Sequence, residues 1–198
     1  MSKRRQTGII LLCLLLAAFF IWLDHSPIKR KWQPQPHDLE KYHDKTFTVV
    51  NVVDGDTIDI NIPDSNHAHT RVRLWGVDTP ETKKPNTPVQ YFGPEATKFT
   101  KNLTLGKTVT IYLDEGNRTR DKYGRLLAYV QLPDNRFLNE LLISKGFAYA
   151  DLRFHHSFYN KYKQLEAAAR SQKKGLWEKV TSEQMPKWRQ KELSNIKM

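Results

Sequence analysis

The sequence predicts an α+β domain made mainly of a small five-stranded β-barrel, with about three helices and one apolar helix in front of it. Two observations lead to this prediction. Five short segments rich in β-branched and apolar residues follow one another, and a helical pattern intervenes only between the third and the fourth. Two further helical patterns follow the last strand segment. This local order is typical of a Greek-key barrel of the OB type with helices at its C-terminal side.

The strand segments are recognised by apolar residues that alternate with polar ones. Asp54-Gly-Asp-Thr, between the first two, is typical of a hairpin turn. On the third strand we expect Val72, Leu74 and Gly76 to face one side. The residues expected on the opposite side are Arg71, Arg73 and Trp75. In chain order the predicted strands are Thr46–Val53, Thr57–Ile62, a strand that begins at Thr70, Lys107–Leu113 and Leu126–Leu132.

Glycine and proline mark the ends of the predicted helices. The first opens at Gly93-Pro94 and stops at Gly106. The second covers Phe137–Lys145. The third presents apolar residues at helical spacing and ends at Gly175. The apolar residues of this third helix are Phe158, Tyr162, Leu165 and Ala169.

The ends of the chain differ in composition from its middle. Residues 1–25 combine a basic start with an uncharged apolar run at 8–23, which predicts a signal anchor that holds the domain on the extracytoplasmic side of a membrane. A cleaved signal peptide, which would release a secreted protein, is the alternative. The proline-containing stretch 26–44 is predicted to be a linker, 45–178 the folded domain, and 179–198 a loosely held basic tail.

Charge and cysteine content narrow the function classes. The net charge is +11, and leaving out Lys3, Arg4 and Arg5 it is still +8. That excess favours a polyanionic partner, either nucleic acid or an anionic membrane surface. The single cysteine, Cys13, excludes an intrachain disulfide and a thiolate zinc site. We expect a monomer.

The stretch Thr70 to Glu81 holds several candidate site residues close together in the sequence. Arg73 is on the predicted strand, Asp78 follows at its exit, and Glu81 comes after a turn stiffened by Pro80. A guanidinium and two carboxylates at one strand end suit both a phosphate ester and a hard metal ion. The alternative is a helix start, with Thr79 as N-cap and Pro80 in the first turn.

Two other stretches offer similar groups. In Asp54-Gly-Asp-Thr, Asp56 is a candidate metal ligand if it meets Asp78 in space; the alternative is a tight turn whose aspartates bond their own backbone. In Arg118–Arg125, Arg125 is a candidate phosphate clamp and Tyr123 a candidate stacking platform for a base. The alternative there is a charged surface loop.

These motifs, in this order, resemble the staphylococcal nuclease (thermonuclease) family. The resemblance covers roughly Lys45 to Glu178. It rests on Asp54-Gly-Asp-Thr, Arg73-x4-Asp-Thr-Pro-Glu81, Tyr91-Phe-Gly-Pro-Glu-Ala, Asp121-Lys-Tyr-Gly-Arg-Leu-Leu-Ala-Tyr129, Asn139-Glu-Leu-Leu and Gly175-Leu-Trp177. Each motif is modest, but the ordered set is specific.

The resemblance implies an OB-fold nuclease that hydrolyses DNA and RNA phosphodiesters with calcium and little sequence specificity. Carried over by position, Asp56 and Asp78 are the metal carboxylates and Thr79 gives a backbone carbonyl. Glu81 is the proposed base or water-positioning residue. The residues implied to bind phosphate are Arg73 and Arg125, and those implied to contact the nucleotide are Lys122 and Tyr123.

The sequence departs from the family where tyrosines are expected to flank the nucleotide, because Phe154 stands in that region. The neighbouring His155 and His156 are expected to be solvated loop residues with no role in the site. Two other functions remain as alternatives. One is a non-catalytic nucleic-acid-binding module on the same fold, against which the complete set of catalytic residue types argues. The other is a membrane-surface protein that binds lipid headgroups through its basic charge.

Overall fold

The computed structural model describes residues 15–17, 35–83 and 88–196, and it divides the chain into two compact units, Met1–Gln33 and Pro34–Met198. Of the first unit, residues 15–17 are described, and they are helical. The rest of the predicted anchor lies outside the described residues. In the part of the chain that is described, no helix combines the length and the apolar character needed to cross a membrane. The apolar N-terminal helix therefore stays a prediction.

Five strands of the second unit form a closed barrel, as predicted. Its order is β1-β2-β3-β6-β5, with β5 pairing back onto β1. Every pair is antiparallel except β3 with β6, which is parallel. The short β4 and β7 pair separately as a two-stranded sheet. The strands are β1 Lys45–Asp54, β2 Thr57–Ile60, β3 Thr70–Leu74, β4 Val77–Asp78, β5 Thr108–Tyr112, β6 Leu126–Gln131 and β7 Tyr149–Ala150.

Among the described residues of this unit, five helices accompany the strands. The second, third and fourth are the three helices that the sequence predicts. In chain order the helices are α1 Pro36–Tyr42, α2 Gly93–Thr104, α3 Leu138–Ser144, α4 Tyr159–Ser171 and α5 Lys187–Ile196, with 3₁₀ turns at Gly175–Glu178 and Ser182–Gln184.

The barrel interior is filled by the apolar side chains of alternating strand positions. The fully or almost fully buried ones include Val49, Ile58, Ile60, Val72, Leu74, Val109, Ile111, Leu126, Ala128 and Val130. Trp75 is predicted to share one side of the third strand with Arg71 and Arg73, but it lies beyond the end of β3 and is buried. The reason is that β3 ends at Leu74, and a turn then directs the Trp75 ring onto Phe154 at a centroid distance of 6.3 Å.

The folded unit begins earlier than the predicted domain start at residue 45. Helix α1 falls within the stretch 26–44 predicted to be a linker. Tyr42 is fully buried, and its hydroxyl lies 3.0 Å from the Thr70 hydroxyl. Burial acts to raise the pKa of Asp38, but hydrogen bonds from Arg120 and Thr119 outweigh it and hold that pKa below its usual range. A helix as short as α1 shows no clear apolar periodicity in the sequence. It is held by contacts to residues far along the chain, which a local pattern does not reveal.

The C-terminal segment also differs from its prediction as a loosely held tail. Arg189 of α5 is buried and forms an ion pair with Glu166 of α4. Met185 packs with Tyr149 and Leu176 in a small second core. Burial is the main reason that the pKa of Glu166 is raised, and the charge of Arg189 opposes that rise. The end of the chain is therefore docked on the domain through at least residue 189.

Candidate active site

Asp56 is held at the start of β2 by hydrogen bonds to its carboxylate. The Thr57 hydroxyl donates to Oδ1 at 3.0 Å, and the backbone N–H and hydroxyl of Thr79 donate to Oδ2 at 2.8 and 3.0 Å. Gly55 allows this approach, because a Cβ there would lie 2.8 Å from the Thr79 side chain. The β1–β2 turn and the segment after β4 therefore meet through Asp56 and Thr79.

Arg73 joins the two candidate metal carboxylates. It sits on β3, where it pairs in register with Thr57, the residue after Asp56. Its Nη1 contacts Asp56 Oδ1, and its Nη2 donates to Asp78 Oδ1 at 2.8 Å. The guanidinium is 14% exposed and the Asp56 carboxylate 4%. Spacing could not show that Asp56 and Asp78 meet, and the structure brings them to one guanidinium.

Asp78 has partners on its other oxygen that sequence reasoning missed. The indole N–H of Trp188, from α5, donates to Oδ2 at 2.7 Å. The Nη2 of Arg153 lies 3.6 Å from the same oxygen. Asp78 reaches both because β4 pairs with β7, placing Asp78 beside Tyr149. Trp188 lies in the stretch expected to be a loose tail, so nothing in the sequence pattern pointed to it.

The segment from Thr79 to Glu81 belongs to no helix, so the helix-cap alternative is wrong. The physical reason is that the Thr79 hydroxyl and amide are directed at Asp56 instead of at a helix end. The Glu81 carboxylate accepts the backbone N–H groups of Thr82 and Lys83 at 3.0 and 2.9 Å. Both bonds use Oε1, and they fix the orientation of this carboxylate.

The loop that carries Glu81 is braced by its neighbours. The Glu81 N–H donates to the Gln90 side chain at 2.8 Å, and the Gln90 N–H returns a bond to the Glu81 carbonyl at 2.9 Å. Helix α2 begins against this loop, since a Cβ on Gly93 would lie 2.7 Å from Thr82. Glu81 follows Asp78 by three residues, so their Cα atoms are at most about 10 Å apart.

Lys122, Tyr123 and Arg125 form a second group, organised by Asp121. Its carboxylate accepts the backbone N–H groups of Tyr123 and Arg125 at 2.8 and 3.0 Å, and the Arg125 Nε at 2.7 Å. The Tyr123 ring is 72% exposed, with the Lys122 ammonium 4.8 Å and the Arg125 guanidinium 5.4 Å from its centroid. Arg125 leads into β6, whose Leu127 pairs with Arg73. The barrel register therefore brings the two groups to neighbouring strands.

The donor set of the first group fits a hard divalent cation. It consists of carboxylate oxygens from Asp56 and Asp78 and the carbonyl of Thr79, and calcium takes oxygen ligands of these kinds together with water. Within the described ranges there is no cluster of three or more His, Cys, Asp or Glu side chains arranged to hold a metal. A cation here would therefore draw the rest of its ligands from the Thr79 carbonyl, from water and from substrate.

His156 is not the solvated loop residue that the sequence suggested. Its side chain is buried, and Nδ1 lies 3.1 Å from the Tyr129 hydroxyl, which also donates to Asp114 at 2.9 Å. Burial lowers the pKa of His156 to about 4. The ring is therefore neutral near pH 7 and belongs to the core. His155 is exposed and stacks on Tyr159 at 5.0 Å.

Phe154, from the region where the resemblance leads us to expect tyrosines, lies in a stack of aromatic rings and guanidinium groups. Its ring packs on Trp75, and the Arg118 guanidinium lies 5.2 Å from its centroid. The ring is half-buried, which leaves part of its surface accessible.

Comparison with known proteins places the chain in a family. The model of the staphylococcal nuclease homologues matches residues 71–179. The thermonuclease of Staphylococcus hyicus is 35% identical over 178 residues, covering 88% of this chain and 98% of that protein. The thermonuclease of Staphylococcus intermedius is 38% identical over 186 residues, covering 89% and 99%. Endonuclease YncB of Bacillus subtilis (strain 168) is 36% identical over 146 residues, covering 73% and 67%. The chain therefore belongs to the family of staphylococcal nuclease homologues.

Proposed function

We propose that the protein is a calcium-dependent nuclease that hydrolyses phosphodiester bonds of DNA and RNA with little sequence preference. The observation that carries the proposal is the position of Arg73 between Asp56 and Asp78, which assembles two carboxylates and a guanidinium at one point of the barrel. The chain belongs to the family of staphylococcal nuclease homologues and is similar to two thermonucleases and an endonuclease. These findings support the assignment as a nuclease, which is a hydrolase that acts on nucleic acid.

Substrate binding in this proposal rests on the phosphate backbone. Arg73 on β3 and Arg125, which directly precedes the neighbouring strand β6, offer guanidinium donors. A phosphate can accept two N–H bonds from one guanidinium. Tyr123 offers an exposed ring, and stacking on it tolerates any base. Contacts to phosphate and to base faces carry little sequence information, so we expect weak sequence preference.

The chemical step adds a water oxygen to phosphorus and breaks one P–O ester bond, and the leaving oxygen takes up a proton from solvent and departs as an alcohol. Glu81 orients the attacking water and accepts its proton, which a carboxylate fixed by backbone donors is suited to do. Arg73 and Arg125 donate to the phosphate oxygens, on which negative charge grows in the transition state. When bound by Asp56, Asp78 and the Thr79 carbonyl, calcium supplies further positive charge at the same place.

Digestion of nucleic acid with and without calcium tests the proposal. Purified protein is incubated with double-stranded DNA and, separately, with RNA, in calcium or in an excess of calcium chelator. We expect both substrates to be degraded in calcium and to stay intact in the chelator. Binding without cleavage in calcium would instead identify a non-catalytic nucleic-acid-binding module. Equal cleavage in the chelator would overturn the metal dependence.

We further propose that residues 8–23 anchor the protein in a membrane, with the nuclease domain on the extracytoplasmic side. The support is the basic start of the chain followed by this apolar run, and the bulky residues after Ala17 and Ala18, which make a poor cleavage site. Fractionation of cells with an alkaline wash tests it. Full-length protein in the cytosolic supernatant contradicts the proposal, and a shortened form in the medium favours a cleaved signal peptide.

A further inference from the structure

The two oxygens of the Asp78 carboxylate are held by a nearby residue of the barrel and by a residue far along the chain. Arg73 donates to Oδ1 at 2.8 Å, and the Trp188 indole donates to Oδ2 at 2.7 Å. A carboxylate held through both oxygens cannot rotate about its Cβ–Cγ bond without breaking a hydrogen bond. The orientation of a candidate metal ligand thus depends on a residue of α5, a helix beyond the matched stretch 71–179.

Trp188 is itself held firmly. Its ring meets Tyr149 edge-on at 6.4 Å, and Tyr149 is the register partner of Asp78. The Arg153 guanidinium lies 4.7 Å from the Trp188 ring centroid, and two bonds of 2.7 Å to Asp151 fix that guanidinium. The indole is therefore packed between a strand residue and a fixed cation.

The residue that follows anchors the helix independently. Arg189 and Glu166 form an ion pair whose side chains are 5% and 4% exposed, and Glu166 also accepts the Ala150 N–H of β7 at 3.3 Å. Helix α5 is thus tied to α4 and, through Glu166, to the strand that pairs with β4. Such a docked helix presents the indole N–H at a fixed place beside Asp78.

We propose that Trp188 is a positioning residue of the metal centre, which orients Asp78 for divalent-cation binding, and that α5 is part of the nuclease site. The inference rests on the proposed function, since it takes Asp78 as a ligand of calcium. Groups that hydrogen-bond a metal ligand set its orientation, and their removal typically weakens metal affinity by about tenfold to a hundredfold. The indole N–H acts through Asp78 and does not touch the cation.

The test is a calorimetric titration of the full-length protein with calcium alone. Trp188→Phe removes the N–H and keeps an aromatic ring, and we expect the Kd for calcium to rise about tenfold. The matched control is Trp177→Phe. Trp177 meets the same Tyr149 edge-on at 5.3 Å, and its buried Nε1 has no hydrogen-bond partner in the described part of the chain. The Kd of the Trp177→Phe protein for calcium should stay at the wild-type value.

A second variant and a second readout separate positioning from folding. Trp188→3-benzothienylalanine exchanges only the indole N–H for sulfur, so it keeps the packing and should weaken calcium binding as Trp188→Phe does. For both variants, the calcium concentration that half-activates DNA cleavage should rise, and the rate at saturating calcium should return towards that of the wild type. A purely structural role would lower the melting temperature and leave the calcium requirement unchanged.

The outcomes distinguish this inference from the proposed function. Calcium binding by the wild type with an unchanged Kd in the Trp188 variants would overturn the inference and leave the nuclease proposal standing. Absence of calcium binding by the wild type would overturn both. A raised Kd in the Trp188 variants with a wild-type Kd in Trp177→Phe would establish that the indole N–H orients Asp78.

Discussion

Arg73 neutralises two carboxylates and is also the proposed phosphate donor. In the absence of a metal it is the cation that compensates the largely buried Asp56 and Asp78 carboxylates. In the proposed mechanism it donates to the phosphate. A buried carboxylate left without its partner costs several kcal/mol, whereas a partner at the surface would contribute little. We therefore expect Arg73 to contribute to stability as well as to the proposed activity.

Replacing this arginine should make stability depend on calcium. In Arg73→Leu, Asp56 and Asp78 face each other without the guanidinium, and we expect unfolding free energy to fall by about 3 kcal/mol in a calcium chelator. Calcium should restore part of that loss, because the cation supplies the missing positive charge and binds the folded state only. Urea denaturation with and without calcium measures both effects.

Arg136→Leu is the matched control, since the Arg136–Asp134 pair lies on the surface with 56% and 50% of the side chains exposed. We expect little change of stability there and no response to calcium. An Arg73→Leu protein as stable as the wild type in the chelator would show that the two carboxylates do not depend on the guanidinium.

At the scale of the elements, strand β6 packs against the segment before α4 through a buried cluster of polar side chains. Tyr129 on β6 donates to Asp114 and lies beside His156. The neighbouring charges of Asp114 and Asp151 favour a protonated His156, but burial is the larger effect, and the pKa falls to about 4. The packing of these elements thus requires a neutral imidazole.

This requirement predicts a loss of stability in mild acid. The pKa of His156 is lower in the folded than in the unfolded chain, where it is 6.5. Below pH 6.5 the unfolded chain binds a proton that the folded chain does not, so stability is complete above that pH and falls until the pH reaches about 4. The full loss is about 3 kcal/mol.

His156→Gln should remove this dependence between pH 6.5 and 4, although it lowers stability at neutral pH. Guanidinium denaturation at several pH values compares the two proteins. The pKa of Asp114 is held below its usual value by hydrogen bonds that outweigh burial, so its own contribution is lost at still lower pH. Parallel stability curves for wild type and variant in this window would contradict the assignment to His156.

At the scale of the whole molecule, the positive charge favours the binding of nucleic acid of any sequence. Outside Lys3, Arg4 and Arg5 the chain keeps a net charge of +8. In a calcium chelator, where we expect no cleavage, affinity for DNA should fall about a hundredfold between about 50 and 200 mM salt if about four phosphates are neutralised. Fluorescence anisotropy with two DNA duplexes of unrelated sequence measures it. An affinity that does not change with salt concentration, or that differs strongly between the duplexes, would contradict binding through the phosphate backbone.

Sequence reasoning reached the parts of this molecule that local pattern encodes. The barrel strands and the three central helices follow from alternation and turn residues. Motif order singled out Asp56, Arg73, Asp78 and Thr79, but the contacts that bring them together are visible only in the structure. Sequence reasoning missed Trp188 and Arg153 beside Asp78, the helix α1 and the docking of α5. Each depends on contacts between residues far apart in the chain, such as Asp38 with Arg120 or Glu166 with Arg189, which no local period reports.

The rate of DNA hydrolysis as a function of calcium concentration, measured for Asp56→Ala and Glu81→Gln, separates metal binding by Asp56 from activation of water by Glu81. Asp56→Ala removes a metal carboxylate, so the half-saturating calcium should rise and high calcium should recover part of the rate. Glu81→Gln keeps its shape but removes the base, so the rate at saturating calcium should fall by about 10² to 10⁴, and more calcium should not restore it.

Both variants are compared with the wild type after melting curves show that they are folded. We expect Asp56→Ala to shift the calcium dependence and Glu81→Gln to lower the maximal rate. A Glu81→Gln protein that cleaves DNA at the wild-type rate, or an Asp56→Ala protein with an unaltered calcium dependence, would contradict the roles proposed for these two residues.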